Sequence, residues 1–165
     1  AMGFAVEKVK STGNEKVWLC ERGNSFGYND LIVDATSMTK LKAHNVPVIM
    51  DCTHAVQKPN QTSGVTGGDP SLISTIVFSA VATGADGLFI ETHPNPAAAK
   101  SDPFTMLKLD LLRPILEKAM KIRTALGKSS SPNLIMITRR TGGHRATSLG
   151  TNILLYILLL ILLIQ

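Results

Sequence analysis

Three times along the chain a short apolar run gives way to a cluster of charged or imidazole side chains. Residues 17–20 lead to Glu21-Arg22-Gly23, residues 46–50 to Asp51-Cys52-Thr53-His54, and residues 87–90 to Glu91-Thr92-His93-Pro94. An arginine offers a two-pronged fork for an oxyanion, a histidine titrates near neutrality, and carboxylates supply oxygen donors for a cation. His54 and Glu91, with Asp102 a little further on, make an imidazole with two carboxylates, a donor set suited to a hard-to-borderline divalent metal. The same residues have plainer readings, since Asp102 can cap a helix and His54 can be a hydrogen-bonded core histidine.

The elements that must position these groups follow from the pattern around them. The three runs are rich in β-branched and large apolar residues, as buried strands are, and they begin near residues 17, 46 and 87, about one βαβ step apart. Helical periodicity lies between them. Residues 31–43 form one candidate, and residues 70–83 a better one, with Leu72, Ile76 and Ala80 on one face and Asp69-Pro70 at the start. Leu111, Leu112, Ile115, Leu116, Ala119 and Ile122 mark a last amphipathic helix, which Pro114 either opens or kinks. Phe4, Val6 and Val9, interleaved with charges, suggest a helix near the beginning. The pattern is that of a parallel α/β fold, in which ligands gather at the carboxyl ends of the strands. No GxGxxG joins a strand to a helix, which favours a barrel over a dinucleotide-binding sheet.

Composition bounds the function classes. The 165 residues are 44% hydrophobic and 18% charged, enough to bury a core. The net charge of +5 is uneven: residues 1–127 carry 13 Lys/Arg against 12 Asp/Glu, while residues 128–165 add Lys128, Arg139, Arg140 and Arg145 and no acid. The body has no basic patch interleaved with aromatics, so no nucleic-acid partner is expected. Cys20 and Cys52 have neither disulfide-framework nor zinc-finger spacing, and reduced thiols in the cytoplasm are the simplest reading. The first ten residues lack the apolar core of a signal peptide.

From Lys128 the character changes. Residues 128–152 read as a Ser/Gly/Arg-containing linker with a brief apolar run at 133–137, and residues 153–165 as an apolar tail whose first twelve residues are uninterrupted. A spanning helix needs about 20 residues, so this is either a terminal extension that packs or aggregates or, given its basic flank, a membrane-associated anchor.

Several blocks occur in a fixed order: CERGNSFGY at residues 20–28 leading into Leu31-Ile32-Val33-Asp34, then Asp51-Cys52-Thr53-His54-Ala55-Val56-Gln57, Thr66-Gly67-Gly68, Gly87-Leu88-Phe89-Ile90-Glu91-Thr92-His93-Pro94, and Ser101-Asp102. In these blocks residues 1–127 resemble the C-terminal part of the 3-deoxy-D-manno-octulosonate 8-phosphate synthases, barrel enzymes of lipopolysaccharide biosynthesis. Heptulosonate synthases share the barrel but are not expected to carry the FGY block. The resemblance implies about the last three βα units of a partial (β/α)8 TIM barrel, followed by an unrelated-looking C-terminal extension. It implies a transferase that condenses phosphoenolpyruvate with D-arabinose 5-phosphate. His54 and Asp102 would be catalytic, and Arg22, Gln57 and Thr66 substrate-binding, with Arg22 on the phosphate of phosphoenolpyruvate. His54, Glu91 and Asp102 would be ligands of a divalent metal, joined in metal-dependent members by a cysteine from the first strand; metal-independent members carry asparagine there, which leaves the class open. No organic cofactor is implied, the substrates are small molecules, and the full-length family forms homo-oligomers. His93 is expected to pack against or orient Glu91. Two positions depart from the family: Asp69 where a basic residue is common, and Pro103, which restricts the backbone presenting Asp102. The alternative is a noncatalytic remnant, with membrane contact through its tail.

Twelve exposed apolar residues exceed what a small soluble domain usually hides. Deleting residues 152–165 is expected to raise the soluble fraction on expression; unfolding of the remainder would instead make the segment part of the core.

Overall fold

The computed structural model describes residues 2–25, 30–59, 66–99 and 101–127, together with the backbone of residues 135–140. Helix α1 (Met2–Lys10) leads to strand β1 (Leu19–Glu21), and β2 (Asn24–Ser25) pairs antiparallel with β3 (Leu31–Ile32). Next come α2 (Ser37–Lys42), β4 (Val48–Asp51), and the antiparallel pair β5 (Gln57–Lys58) and β6 (Gly67–Gly68). Helix α3 (Ile73–Thr83), β7 (Gly87–His93), β8 (Leu107–Lys108), α4 (Leu109–Ala125) and β9 (Ile135–Arg140) follow.

Strands β1, β4 and β7 lie side by side and parallel, with Leu19 opposite Val48 and Ile49 opposite Gly87. β9 also pairs in parallel with β7 along most of its length, and β8 adds a short parallel contact at the end of β7. Helices α2, α3 and α4 fill the successive crossovers. The expected parallel α/β architecture therefore holds, and strands that follow one another in chain order form an arc of barrel wall rather than a doubly wound sheet, whose order reverses at a switch point.

Burial explains why these runs are strands. Every residue of β4 is buried, and Val48, Met50, Leu88 and Ile90 pack with Ile73, Val77 and Val81 of α3 and Ala119 of α4. A strand covered on both faces carries a continuous apolar run rather than an alternating one. A smaller cluster of Val6, Val17, Leu19 and Val46 seats α1 against β1. Asp86 ties the sheet to its helices: it pairs with Lys42 of α2 at 2.9 Å and accepts the Val48 N–H at 3.0 Å.

Three details differ from expectation for local reasons. The helix expected over residues 31–43 is shortened to α2, because Leu31 and Ile32 join β2 and Asp34 accepts from the Thr36 N–H and hydroxyl, both at 2.8 Å. The buried stripe of α3 is Ile73, Val77, Ala80 and Val81, while Leu72 falls in the preceding 3-10 turn and is 46% exposed. Pro114 lies inside α4 rather than opening it. Among the described residues no helix is long and apolar enough to cross a membrane; the apolar tail 153–165 lies outside the described residues.

Gly68 shows how tightly the β5–β6 pair is set. A Cβ there would collide with Thr105 Cγ2 and come within 2.8 Å of the Phe104 carbonyl oxygen. Gly68→Ala is expected to lower stability by about 1–3 kcal/mol through overpacking, read as a lower urea midpoint. An unchanged midpoint would mean that the pair does not pack against this turn.

Candidate active site

Strand β4 ends at Asp51 and passes directly into a 3-10 turn, His54–Val56, that Asp51 itself holds. Its Oδ1 accepts from the backbone N–H groups of Thr53 (3.2 Å) and His54 (2.9 Å), and its Oδ2 lies 2.7 Å from His54 Nδ1. An ionised carboxylate can only accept, so Nδ1 carries the hydrogen and Nε2 is left as the donor atom of the neutral ring. Nε2 lies 4.0 Å from Glu91 Oε2, and the Phe89 ring stacks on the imidazole at a centroid distance of 5.8 Å. The hydrogen bond to Asp51 raises the His54 pKa above its usual value; burial opposes the shift, the charges of Asp51 and Glu91 reinforce it, and Arg22 works against it. The fold thus favours the protonated ring more than solvent does. Its stabilising contribution is complete below the unfolded pKa and is lost as pH rises through the raised folded value.

Glu91 is 3% exposed, and its backbone N–H donates to Thr53 Oγ1 at 2.7 Å, which fastens the end of β4 to β7. Asp102 approaches from the segment after β7 in a left-handed conformation, φ +49°. Its carbonyl accepts from the N–H groups of Thr105 (3.1 Å) and Met106 (3.2 Å), so the backbone builds the turn and leaves the carboxylate to accept Gln57 Nε2–H at 3.3 Å. Pro103 disfavours a right-handed helical conformation at Asp102, and the left-handed backbone still delivers the carboxylate to the site. Ligand atoms of His54, Glu91 and Asp102 lie within 4.8 Å of one another. One imidazole nitrogen and two carboxylates so placed fit a divalent cation by donor chemistry.

Exposed Arg22, just past β1, donates from Nη2 to Gln57 Oε1 at 2.7 Å. The Gln57 amide thus has a guanidinium at its carbonyl end and the Asp102 carboxylate at its NH2 end. Arg22 forms no ion pair among the described residues. Glu21 is engaged elsewhere, its Oε1 accepting the Gly23 N–H at 2.6 Å. Thr66 stands exposed just before β6, apart from this hydrogen-bonded cluster, and Phe26, Gly27 and Tyr28 of the FGY block lie outside the described residues.

Two further residues named from the sequence have local partners. Asp69 caps the Pro70–Leu72 turn through the Ser71 N–H (3.1 Å) and hydroxyl (2.5 Å), and the hydroxyl bond holds its carboxyl below the usual range. His93 accepts the Asn95 N–H at 3.0 Å through Nδ1. Cys20 and Cys52 are free thiols, and burial pushes the Cys52 thiol up. Asp51 is the functional residue that sequence reasoning passed over; its signal is a carboxylate three residues before a histidine at a strand end.

The model of the family described as the DAHP synthetase I family matches residues 1–127. The chain is 42% identical over 123 residues to a 2-dehydro-3-deoxyphosphooctonate aldolase of Xanthomonas axonopodis pv. citri, covering 74% of this chain and 45% of that protein. It is 48% identical over 111 residues to the protein of the same name from Francisella tularensis subsp. novicida, covering 66% of this chain and 40% of the relative. The chain therefore spans less than half the length of these relatives. A solved phospho-2-dehydro-3-deoxyheptonate aldolase from Thermotoga maritima is similar with a TM-score of 0.63 at 28% identity, covering 75% of this chain and 34% of that one. The family match takes in β1, β4, β7, the helices between them and every member of the hydrogen-bonded cluster, and the chain belongs to the DAHP synthetase I family.

Proposed function

We propose that this chain carries the phosphoenolpyruvate-binding and metal-binding part of a sugar-phosphate synthase site. In a complete barrel it would serve the condensation of phosphoenolpyruvate with D-arabinose 5-phosphate to 3-deoxy-D-manno-octulosonate 8-phosphate and phosphate. The observation that carries this reading is the convergence of His54, Glu91 and Asp102 within 4.8 Å, joined through Gln57 to Arg22. The names of the relatives support the substrate class.

Arg22 presents a planar fork to the phosphate of phosphoenolpyruvate, and Gln57 holds that fork in line with Asp102. Thr66, just before β6, is assigned to the sugar phosphate. His54 through Nε2, Glu91 and Asp102 would hold a divalent metal, which when bound lowers the pKa of water and polarises a carbonyl oxygen. A proton on Nε2 competes with the metal, so the raised His54 pKa makes metal affinity increase with pH. The water that adds to C2 of phosphoenolpyruvate must lose a proton, and the aldehyde oxygen attacked by C3 must gain one. Asp102 would take the first, and His54 would serve this exchange at Nε2 where no metal holds it. The same reading brings a cytoplasmic setting and a homo-oligomer.

The test joins this chain downstream of the part of the Francisella relative that it does not match, and measures phosphate release from phosphoenolpyruvate. Release is expected to require arabinose 5-phosphate, and His54→Ala or Glu91→Ala to lower rate and metal content together. Arg22→Lys is expected to raise KM for phosphoenolpyruvate by about tenfold, with a smaller change for arabinose 5-phosphate, because lysine keeps the charge and loses the fork. Equal loss for both substrates would make Arg22 structural. Full activity in metal-free protein would remove the ligand assignment, and no release under any condition would favour the noncatalytic reading.

A further inference from the structure

The family match ends at residue 127, yet the sheet gains a strand beyond it. β9 runs parallel to β7 through six register pairs, from Gly87 opposite Ile135 to Thr92 opposite Arg140. Gly87, Leu88 and Phe89 each have one partner in β4 and a second in β9. A strand has two edges, so β9 lies along the edge of β7 opposite β4. The chain reaches that edge by way of α4, and β7, α4 and β9 make one more βαβ step of the kind that joins β1, β4 and β7. Ile135, Ile137 and Thr138 are β-branched, a residue type enriched in strands.

This edge has a defined use in a closed barrel. Eight parallel strands close by pairing the last with the first, which leaves no row of unpaired N–H and C=O groups. With β1, β4 and β7 as the strands of the last three βα units, the closing strand must run parallel to β7 on the edge opposite β4. β9 meets both conditions. The two strands would use the same backbone groups of β7, so pairing with one excludes pairing with the other.

We infer that β9 stands in for the barrel-closing strand, so that the segment beyond the family match holds the barrel open at β7 and competes with the first strand of a complete barrel. The inference rests on backbone pairing and on the complete barrel of the proposed function. β9 is tethered to β7 by residues 94–134, whereas residues 1–86 at least separate β7 from any strand that precedes this chain. The second connection is more than twice as long. Each doubling of a loop lowers its closure about threefold, so the shorter tether favours β9 by about that factor and leaves about a quarter of complete barrels closed.

The experiment begins with amide exchange in the full chain, unaltered and as Ile137→Pro and Thr138→Pro. Successive N–H groups of a strand point to opposite edges, so one of these two prolines removes a hydrogen bond to β7. Residues 135–140 are expected to exchange slowly in the unaltered chain and to lose that protection in the effective proline variant, while Val48–Met50 of β4 stay slow. Rapid exchange of residues 135–140 in the unaltered chain would overturn the inference. The second measurement uses the joined protein described above, with residues 128–165, without them, and with each proline. A slowly exchanging majority is expected at residues 135–140 of the joined protein. Phosphate release should be about fourfold faster once residues 128–165 are removed or the effective proline is introduced. Equal release from all forms would overturn the inference and leave the proposed function standing. Slower release without residues 128–165 would overturn it as well, since β9 would then belong to the working barrel. No release from any form would count against the proposed function, and exchange in the joined protein then decides the inference: a protected majority at residues 135–140 upholds it, and rapid exchange there overturns it.

Discussion

The carboxylate of Asp51 is the interaction on which the candidate site depends. One oxygen satisfies two backbone N–H groups at the end of β4, and the other fixes the imidazole of His54 at 2.7 Å. The chain is thereby turned sharply out of a fully buried strand without leaving those donors unpaired, and the ring is held with Nε2 toward Glu91. Removing the carboxylate would strand buried donors, which is costly in itself, and would release the ring. Thr53, inside the same turn, fastens Glu91 through its hydroxyl, so one short segment positions two of the three converging ligands.

The remaining groups reach the site by longer routes that share this logic. Asp102 uses its carbonyl for the turn and keeps its side chain for Gln57, and Gln57 is oriented by having opposite partners at its two ends. A neutral amide between a guanidinium and a carboxylate lets both charges stay near one another without forming a direct ion pair, which would cancel the fork that an oxyanion needs. The placing of Gly68 under Thr105 and Phe104 holds the Gln57 hairpin against the Asp102 turn. Positioning here is a matter of backbone fit as much as of side-chain chemistry.

Much of this was legible in the residues. The three buried strands announced themselves as apolar runs ending in polar clusters, and Asp69-Pro70 marked the entry to α3. His54, Glu91, Asp102, Gln57 and Arg22, singled out from the sequence, fall into one connected group. What was not legible depended on partners distant in sequence or on local competition. Asp34 captures Thr36 and cuts α2 short. Asp51 looked like one more strand-end charge until its three acceptor contacts were in view. Residues 133–137 read as a brief apolar run, and the role of the surrounding segment as a strand exists only because β7 offers it an edge.

The most direct measurement of the central interaction is the imidazole tautomer of His54, read from 15N shifts at a pH above its raised pKa. The expected state is hydrogen on Nδ1 and a lone pair on Nε2. Asp51→Asn should reverse it: the backbone N–H groups of Thr53 and His54 hold the amide oxygen at the Oδ1 position, which turns the NH2 toward Nδ1 and moves the ring hydrogen to Nε2. Hydrogen on Nε2 in the unaltered chain, or a tautomer indifferent to Asp51→Asn, would contradict the assignment of Asp51 as the group that aims His54 into the site.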